Sequence, residues 1–122
     1  MSDYLPKFKP GEAITLPTLA TAAVTGGQLV TVDAAPAAAD SVSWVGVASR
    51  DTGVGQPLGV YADAVQRLTA AGALPKGTPV KCAAAGQVTT WVSGTDNYDR
   101  YVGLTLEAAT GAGSVIAVRM AR

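Results

Sequence analysis

The sequence predicts an all-β fold, a small β-barrel or β-sandwich-like domain made of two similar halves with short helical turns. Three observations lead there. Short runs rich in Val, Thr, Leu and Ile recur along the 122 residues, each closed by glycine, proline or a polar turn, which is the rhythm of strands joined by hairpins. Helix is scarce, because the Ala-rich stretches Ala34–Asp40 and Ala70–Leu74 can form only a turn or two before Pro36, Gly72 and Pro75 interrupt them. The chain also repeats itself.

Residues 1–12 stand apart from the rest. Pro6 and Pro10 block a helix and bias their neighbours toward extended backbone. Tyr4, Leu5 and Phe8 have no apolar partner within the segment, and Lys7 and Lys9 alternate with Phe8 at a period of two. The expectation is an extended N-terminal arm that orders on a partner, by adding a strand or by laying its aromatic side chains in a groove. Residues 13–122 then form a single β-rich domain.

From Ile14 onward the pattern is β throughout. The predicted strands are Thr21–Val24, Gln28–Val32, Val42–Ser49, Leu58–Ala62, Val65–Thr69, Thr78–Ala83, Gln87–Val92, Tyr101–Glu107 and Ser114–Met120. Turn signals separate them at Gly26-Gly27, Gly53-Val54-Gly55, Lys76-Gly77, Ser93-Gly94 and Gly111-Ala112-Gly113.

Two halves, about 14–65 and 66–122, align block by block. Val24–Val32 matches Leu74–Cys82 at an offset of 50, with Gly27 over Gly77. Trp44-Val45-Gly46-Val47 matches Tyr101-Val102-Gly103-Leu104 at an offset of 57, and Gly53–Val60 matches Gly111–Val118 at 58. The growing offset requires an insertion in the second copy, assigned to the polar loop Ser93–Arg100. The reading is of two units related by an approximate two-fold axis, each too small to bury its own apolar face without its twin. Gly46 and Gly103 fall in mid-strand, where glycine marks a bulge, a sharp bend or a close backbone crossing.

Composition narrows the function. Nine Lys+Arg balance nine Asp+Glu and there is no histidine. Without a basic excess or a basic run there is no footprint for nucleic acid or an anionic membrane surface. Without imidazole there is no Ser-His or Cys-His pair and no ordinary zinc site. Glu12 and Glu107 are the only glutamates, and the Asp residues do not cluster into an acid–base pair; no catalytic residue, metal or cofactor is assigned. Cys82 is the lone cysteine and reads as a small buried apolar residue. The first ten residues lack the apolar run of a secretion signal, so synthesis in a host cytoplasm is expected. Val, Leu, Ile and Phe total only 27 residues, a thin core that favours association.

Two loops invite a site and neither supports one for a small ligand. Gly53-Val54-Gly55-Gln56-Pro57-Leu58-Gly59 has its third glycine one place late for a dinucleotide fingerprint. Asp96-Asn97-Tyr98-Asp99 lacks the closing glutamate of a calcium loop and reads as a solvated turn. Its aromatic surroundings make it a candidate interface loop, with Trp91, Tyr98, Arg100 and Tyr101 as the contact residues. Trp44, inside an apolar strand, reads as core.

The run from Pro10 through Val30, followed by Val45-Gly46-Val47-Ala48, Gly77-Thr78-Pro79-Val80, Gly86-Gln87-Val88, Val102–Glu107 and Ser114–Arg119, resembles the capsid decoration (cement, head-stabilising) proteins of tailed bacteriophages over about residues 10–120. The resemblance implies a β-tulip-like domain that forms a homotrimer on the outer surface of the virion. It implies the phage major capsid protein as partner, at three-fold and quasi-three-fold sites, with the arm (Tyr4, Leu5, Lys7, Phe8 and Lys9) as the capsid contact. The rival reading is a β-sandwich carbohydrate-binding or fibre-tip adhesin module, for which Trp91, Tyr98 and Tyr101 are the only available aromatic platform. An enzyme would have only Asp96 and Asp99 to work with.

Overall fold

The computed structural model describes residues 14–62 and 64–121, so the arm residues Tyr4, Leu5, Lys7, Phe8 and Lys9 lie outside it. Two antiparallel sheets account for the strands. The first contains β1 (Ile14–Thr15), β2 (Leu29–Thr31), β3 (Trp44–Ala48) and β4 (Gly59–Tyr61) in the order β1-β4-β3-β2. The second contains β5 (Val65–Thr69), β6 (Pro79–Cys82), β7 (Val88–Thr90), β8 (Tyr101–Thr105) and β9 (Val115–Met120) in the order β5-β9-β8-β6-β7.

The two sheets repeat one another residue for residue. Leu29 faces Val47 as Pro79 faces Leu104, Val30 faces Gly46 as Val80 faces Gly103, and Thr31 faces Trp44 as Lys81 faces Tyr101. Each unit has a β-bulge at the same step, between Val30 and Thr31 and between Val80 and Lys81. Val47 faces Tyr61 as Leu104 faces Arg119, and Ile14 faces Val60 as Gln66 faces Val118. The flanking turns follow the same plan. Gly27 and Gly77, with φ of 92° and 81°, donate their N–H to Ala48 O and Thr105 O, in a conformation that favours glycine. Gly55 and Gly113 donate to Ala20 O and Ala70 O.

Side chains alternate across a strand, so each sheet has two faces. In the first sheet Leu29, Trp44 and Val47 share one face, while Val30, Ala48 and Val60 share the other. The first set joins the main core together with Leu68, Val80, Val88, Ile116, Val118 and Met120 from the second sheet. The second set forms a separate small core beneath Val24, Ala34 and Leu58, with Leu16 and Val45 packed against it.

This corrects the expected two-fold relation. The residues that cover Leu29, Trp44 and Val47 include Val80 and Val118, which are the counterparts of Val30 and Val60, not of Leu29 and Val47. The units therefore stack head to tail, one kind of face against the other, and an axis that exchanged them would have to pair like with like.

Gly46 and Gly103 are both buried. A Cβ at Gly46 would collide with Tyr61 O and Val60 Cγ1, and one at Gly103 with Arg119 O and Val118 Cγ1. These are again equivalent atoms in the two units.

Several elements differ from expectation. Thr21–Val24 is not a strand; only Val24 makes a bridge, to Thr52, and the edge of the first sheet is the two-residue β1 instead. Neither Ala-rich stretch is helical. Ala34 and Asp40 adopt φ of 58° and 61°, and bridges at Pro36, Ala70 and Leu74 hold the stretches as extended connections. The short 3-10 turns fall at Ala84–Gly86 and Tyr98–Arg100. The insertion is larger than the polar loop, because it also contains the first of these turns and β7. Its Gly86 presses on the first sheet: a Cβ there would lie 2.7 Å from Leu29 O, and its N–H donates to Ala37 O at 2.9 Å. Gln28 Nε2 donates to Ala85 O alongside, at 2.9 Å, so the insertion ties the units together.

Candidate interaction face

Among the described residues, the stacking leaves one sheet face without a covering sheet. On the second sheet, Val65, Arg119, Leu104 and Pro79 face one another in a row across four strands. Arg67 opposite Ala117, Thr69 opposite Val115 and Lys81 opposite Tyr101 complete the same face. Val65 and Val115 are 50% and 52% exposed, and a shallow depression of about 360 Å³ runs between Tyr101, Leu104, Arg119, Met120 and Ala121. In the first unit only part of this face is core: Leu29, Trp44 and Val47, the counterparts of Pro79, Tyr101 and Leu104, are buried, whereas Tyr61, Thr15 and Pro57, the counterparts of Arg119, Arg67 and Val115, are exposed. A β-branched valine half in water gives up about half of the apolar burial its strand position could supply. Its alternation with arginine makes this an apolar face with a positive cast.

The predicted interface loop stands at one edge of this face. Trp91, just beyond β7, donates its backbone N–H to Pro79 O at 2.8 Å. Its indole packs against Tyr98 (centroids 5.2 Å apart, tilted) and edge-on against Tyr101 (5.7 Å), and the indole N–H donates to Asn97 O at 2.9 Å. The cluster is a ridge and not a platform: Trp91 is 8% exposed, Tyr101 is partly buried, and only Tyr98, at 83%, stands out into solvent. The flat stacking surface that a carbohydrate module needs is not formed by these three rings.

Asp96 fixes the ridge, and here the reading of a solvated turn holds for Asn97, Tyr98 and Asp99 but not for Asp96. Asp96 is buried, while Asn97, Tyr98 and Asp99 are exposed. Its Oδ2 accepts the Val92 N–H at 2.8 Å, and its Oδ1 accepts from Lys81 Nζ at 2.8 Å and Arg100 Nη1 at 3.1 Å. Lys81 Nζ also reaches Asp40 Oδ1 at 2.7 Å. The Lys81 ammonium, then the Val92 N–H, hold the Asp96 carboxyl down at about 2 against burial, which opposes them. Asp40 first and Asp96 second raise Lys81. Asp40 comes from the first unit and Asp96 from the insertion, so one lysine of β6 joins three segments. In the sequence Lys81 is one of nine Lys and Arg residues and belongs to no basic run. Only the fold brings its partners together.

The predicted site residues thus fall in three places. Trp91, Tyr98, Arg100 and Tyr101 come together at the edge of the open face. Gly27 and Gly77 form turns, and Gly46 and Gly103 allow close backbone crossings. Val65, Arg67, Leu104, Val115 and Arg119 were not singled out from the sequence; the only hint was a charged residue inside each of two apolar runs, Arg67 in Val65–Leu68 and Arg119 in Val115–Met120. Among the described residues no group of three His, Cys, Asp or Glu could hold a metal ion, and no helix is long and apolar enough to cross a membrane.

The fold is that of a phage head protein. The chain superimposes on the crystal structure of the N base of head fibre protein gp8.5 of bacteriophage phi29 with a TM-score of 0.67, over 89% of this chain and 94% of that one, at 16% identity. The sequence fits the family model of the phage cement proteins over residues 8–120, and the chain belongs to that family. It is a structural protein of the phage head and a virion component. No curated protein matches it.

Proposed function

We propose that this protein binds the outer surface of the expanded phage capsid as a homotrimer, at three-fold and quasi-three-fold positions, and stabilises the head against the outward push of its packed genome. The observation that carries the reading, beside family membership, is the open face of the second sheet, where Pro79, Tyr101 and Leu104 are partly exposed at positions that the first unit keeps as core. Residues 1–12 act as an arm to the major capsid protein, with Tyr4, Leu5 and Phe8 as apolar anchors and Lys7 and Lys9 beside them. A ligand that binds only the assembled, expanded lattice stabilises it by mass action. Three linked arms bind more strongly than one through effective concentration. Near-zero net charge limits repulsion among copies crowded on one shell.

The test mixes purified protein with expanded, undecorated heads. Saturable binding and a higher melting temperature of the shell are expected. Failure to bind, together with binding of glycans by a monomer, would replace this reading with that of an adhesin module.

A further inference from the structure

We propose that the open face of the second sheet is the docking surface for a second copy of this chain, which meets it head to tail through the outer end of its own first unit. The inference deepens the trimeric reading above and rests on it only for the number of copies.

The molecule already contains one such contact. Leu29, Trp44 and Val47 of the first sheet are buried against the second unit. Pro79, Tyr101 and Leu104 occupy the matching positions on the second sheet, and among the described residues no unit lies above them. A face of this shape is therefore complementary to the opposite face of the same kind of unit. The next such unit available is the first unit of another chain.

That outer end is built to be met. The Leu16–Thr21 loop is tied to the Thr31–Ala35 turn by Thr21 N–H to Ala34 O (3.1 Å) and Thr21 Oγ1 to Asp33 O (2.9 Å). Together they roof the small core through Leu16 and Ala34, and they leave Leu19 and Val32 more than half exposed. Asp33 is exposed beside Val32. Arg67 and Arg119 on the open face have no acidic partner among the described residues, and the Asp33 carboxylate has no basic one. Apolar meets apolar and the charges have opposite sign. A contact between unlike surfaces is heterologous, and it closes into a ring when its rotation divides the circle; three copies would satisfy the trimer.

The test is made on the full chain without heads, by analytical ultracentrifugation. A face variant carries Val115→Asp with Arg119→Glu, and an end variant carries Leu19→Asp with Val32→Asp. All four side chains are exposed, so circular dichroism and melting should match wild type; Val65→Asp replaces Val115→Asp if the fold is lost. Wild type should be a trimer, and each variant alone a monomer with association at least tenfold weaker. An equimolar mixture of the variants should give a one-to-one dimer, because one intact face meets one intact end and no further contact can form. A monomeric wild type, an end variant that still forms trimers, or a mixture that stays monomeric overturns the proposal. Head binding measured on the same samples keeps the readings apart. A wild type that decorates heads but never self-associates refutes the docking contact alone. A head-to-tail trimer that ignores heads refutes the cement reading alone.

Discussion

Tyr101 holds in the second unit the place that Trp44 holds in the first, opposite Lys81 as Trp44 is opposite Thr31. The two aromatics meet different surroundings. Trp44 is 1% exposed and lies in the main core, whereas Tyr101 is only partly buried at the rim of the open face. One structural position serves as core in one copy and as surface in the other, and the head-to-tail stacking is the reason.

Truncating the pair should separate those roles. Trp44→Ala removes a large buried side chain and should cost about 3–5 kcal/mol. Tyr101→Ala should cost well under half as much. Chemical denaturation of both variants measures the difference, and equal losses would mean that the two sites are packed alike.

Backbone crowding makes its own prediction. Gly46→Val and Gly103→Val force a side chain into Tyr61 O and Arg119 O respectively, and a carbonyl in a paired strand cannot step aside. Each substitution should destabilise by about 2 kcal/mol or more and lower the melting temperature by at least about 5 °C. A scan with no shift would show that the strands can separate at these points.

Acid should loosen the aromatic ridge. Asp96 titrates at about 2 in the folded protein against an ordinary 3.8. Because the folded value is the lower one, its stabilising contribution is complete above about pH 4 and drains away as the pH falls toward 2. Lys81 works in the opposite sense: its raised value keeps its contribution whole at neutral pH, with loss only in strong alkali. Asp96→Asn should lower the melting temperature at pH 7 and flatten its fall between about pH 4 and pH 2. A variant with the wild-type acid profile would remove Asp96 from this role.

Deleting Met1–Lys9 should weaken binding to expanded heads while the β-domain, residues 13–122, keeps its melting temperature. Pull-down with heads, beside a thermal melt of the free protein, reads both. Unchanged head affinity would remove the arm from the capsid contact.

Much of the fold was legible in the sequence, because glycines at turns and crossings are set by backbone geometry and leave a fixed spacing. The pairs Gly27/Gly77, Gly46/Gly103 and Gly55/Gly113 trace the two units, and the predicted β-runs fall close to eight of the strands. Alternation announces that a strand has two faces and is silent on what covers each, so the sequence could not separate a two-fold pairing from a head-to-tail stack. The same gap hid the open face: Val65 and Val115 read as ordinary strand valines. Asp96 looked like any turn aspartate, because Lys81 and Asp40 approach it only across the fold.

The most direct test is a reconstruction of expanded heads saturated with this protein. The account expects one trimer over every three-fold and quasi-three-fold position on the outside of the shell. Within each trimer the Val65–Val115 face of one copy should lie against the Leu19–Val32 end of the next. Bare three-fold positions, or density confined to capsomer centres, would contradict it.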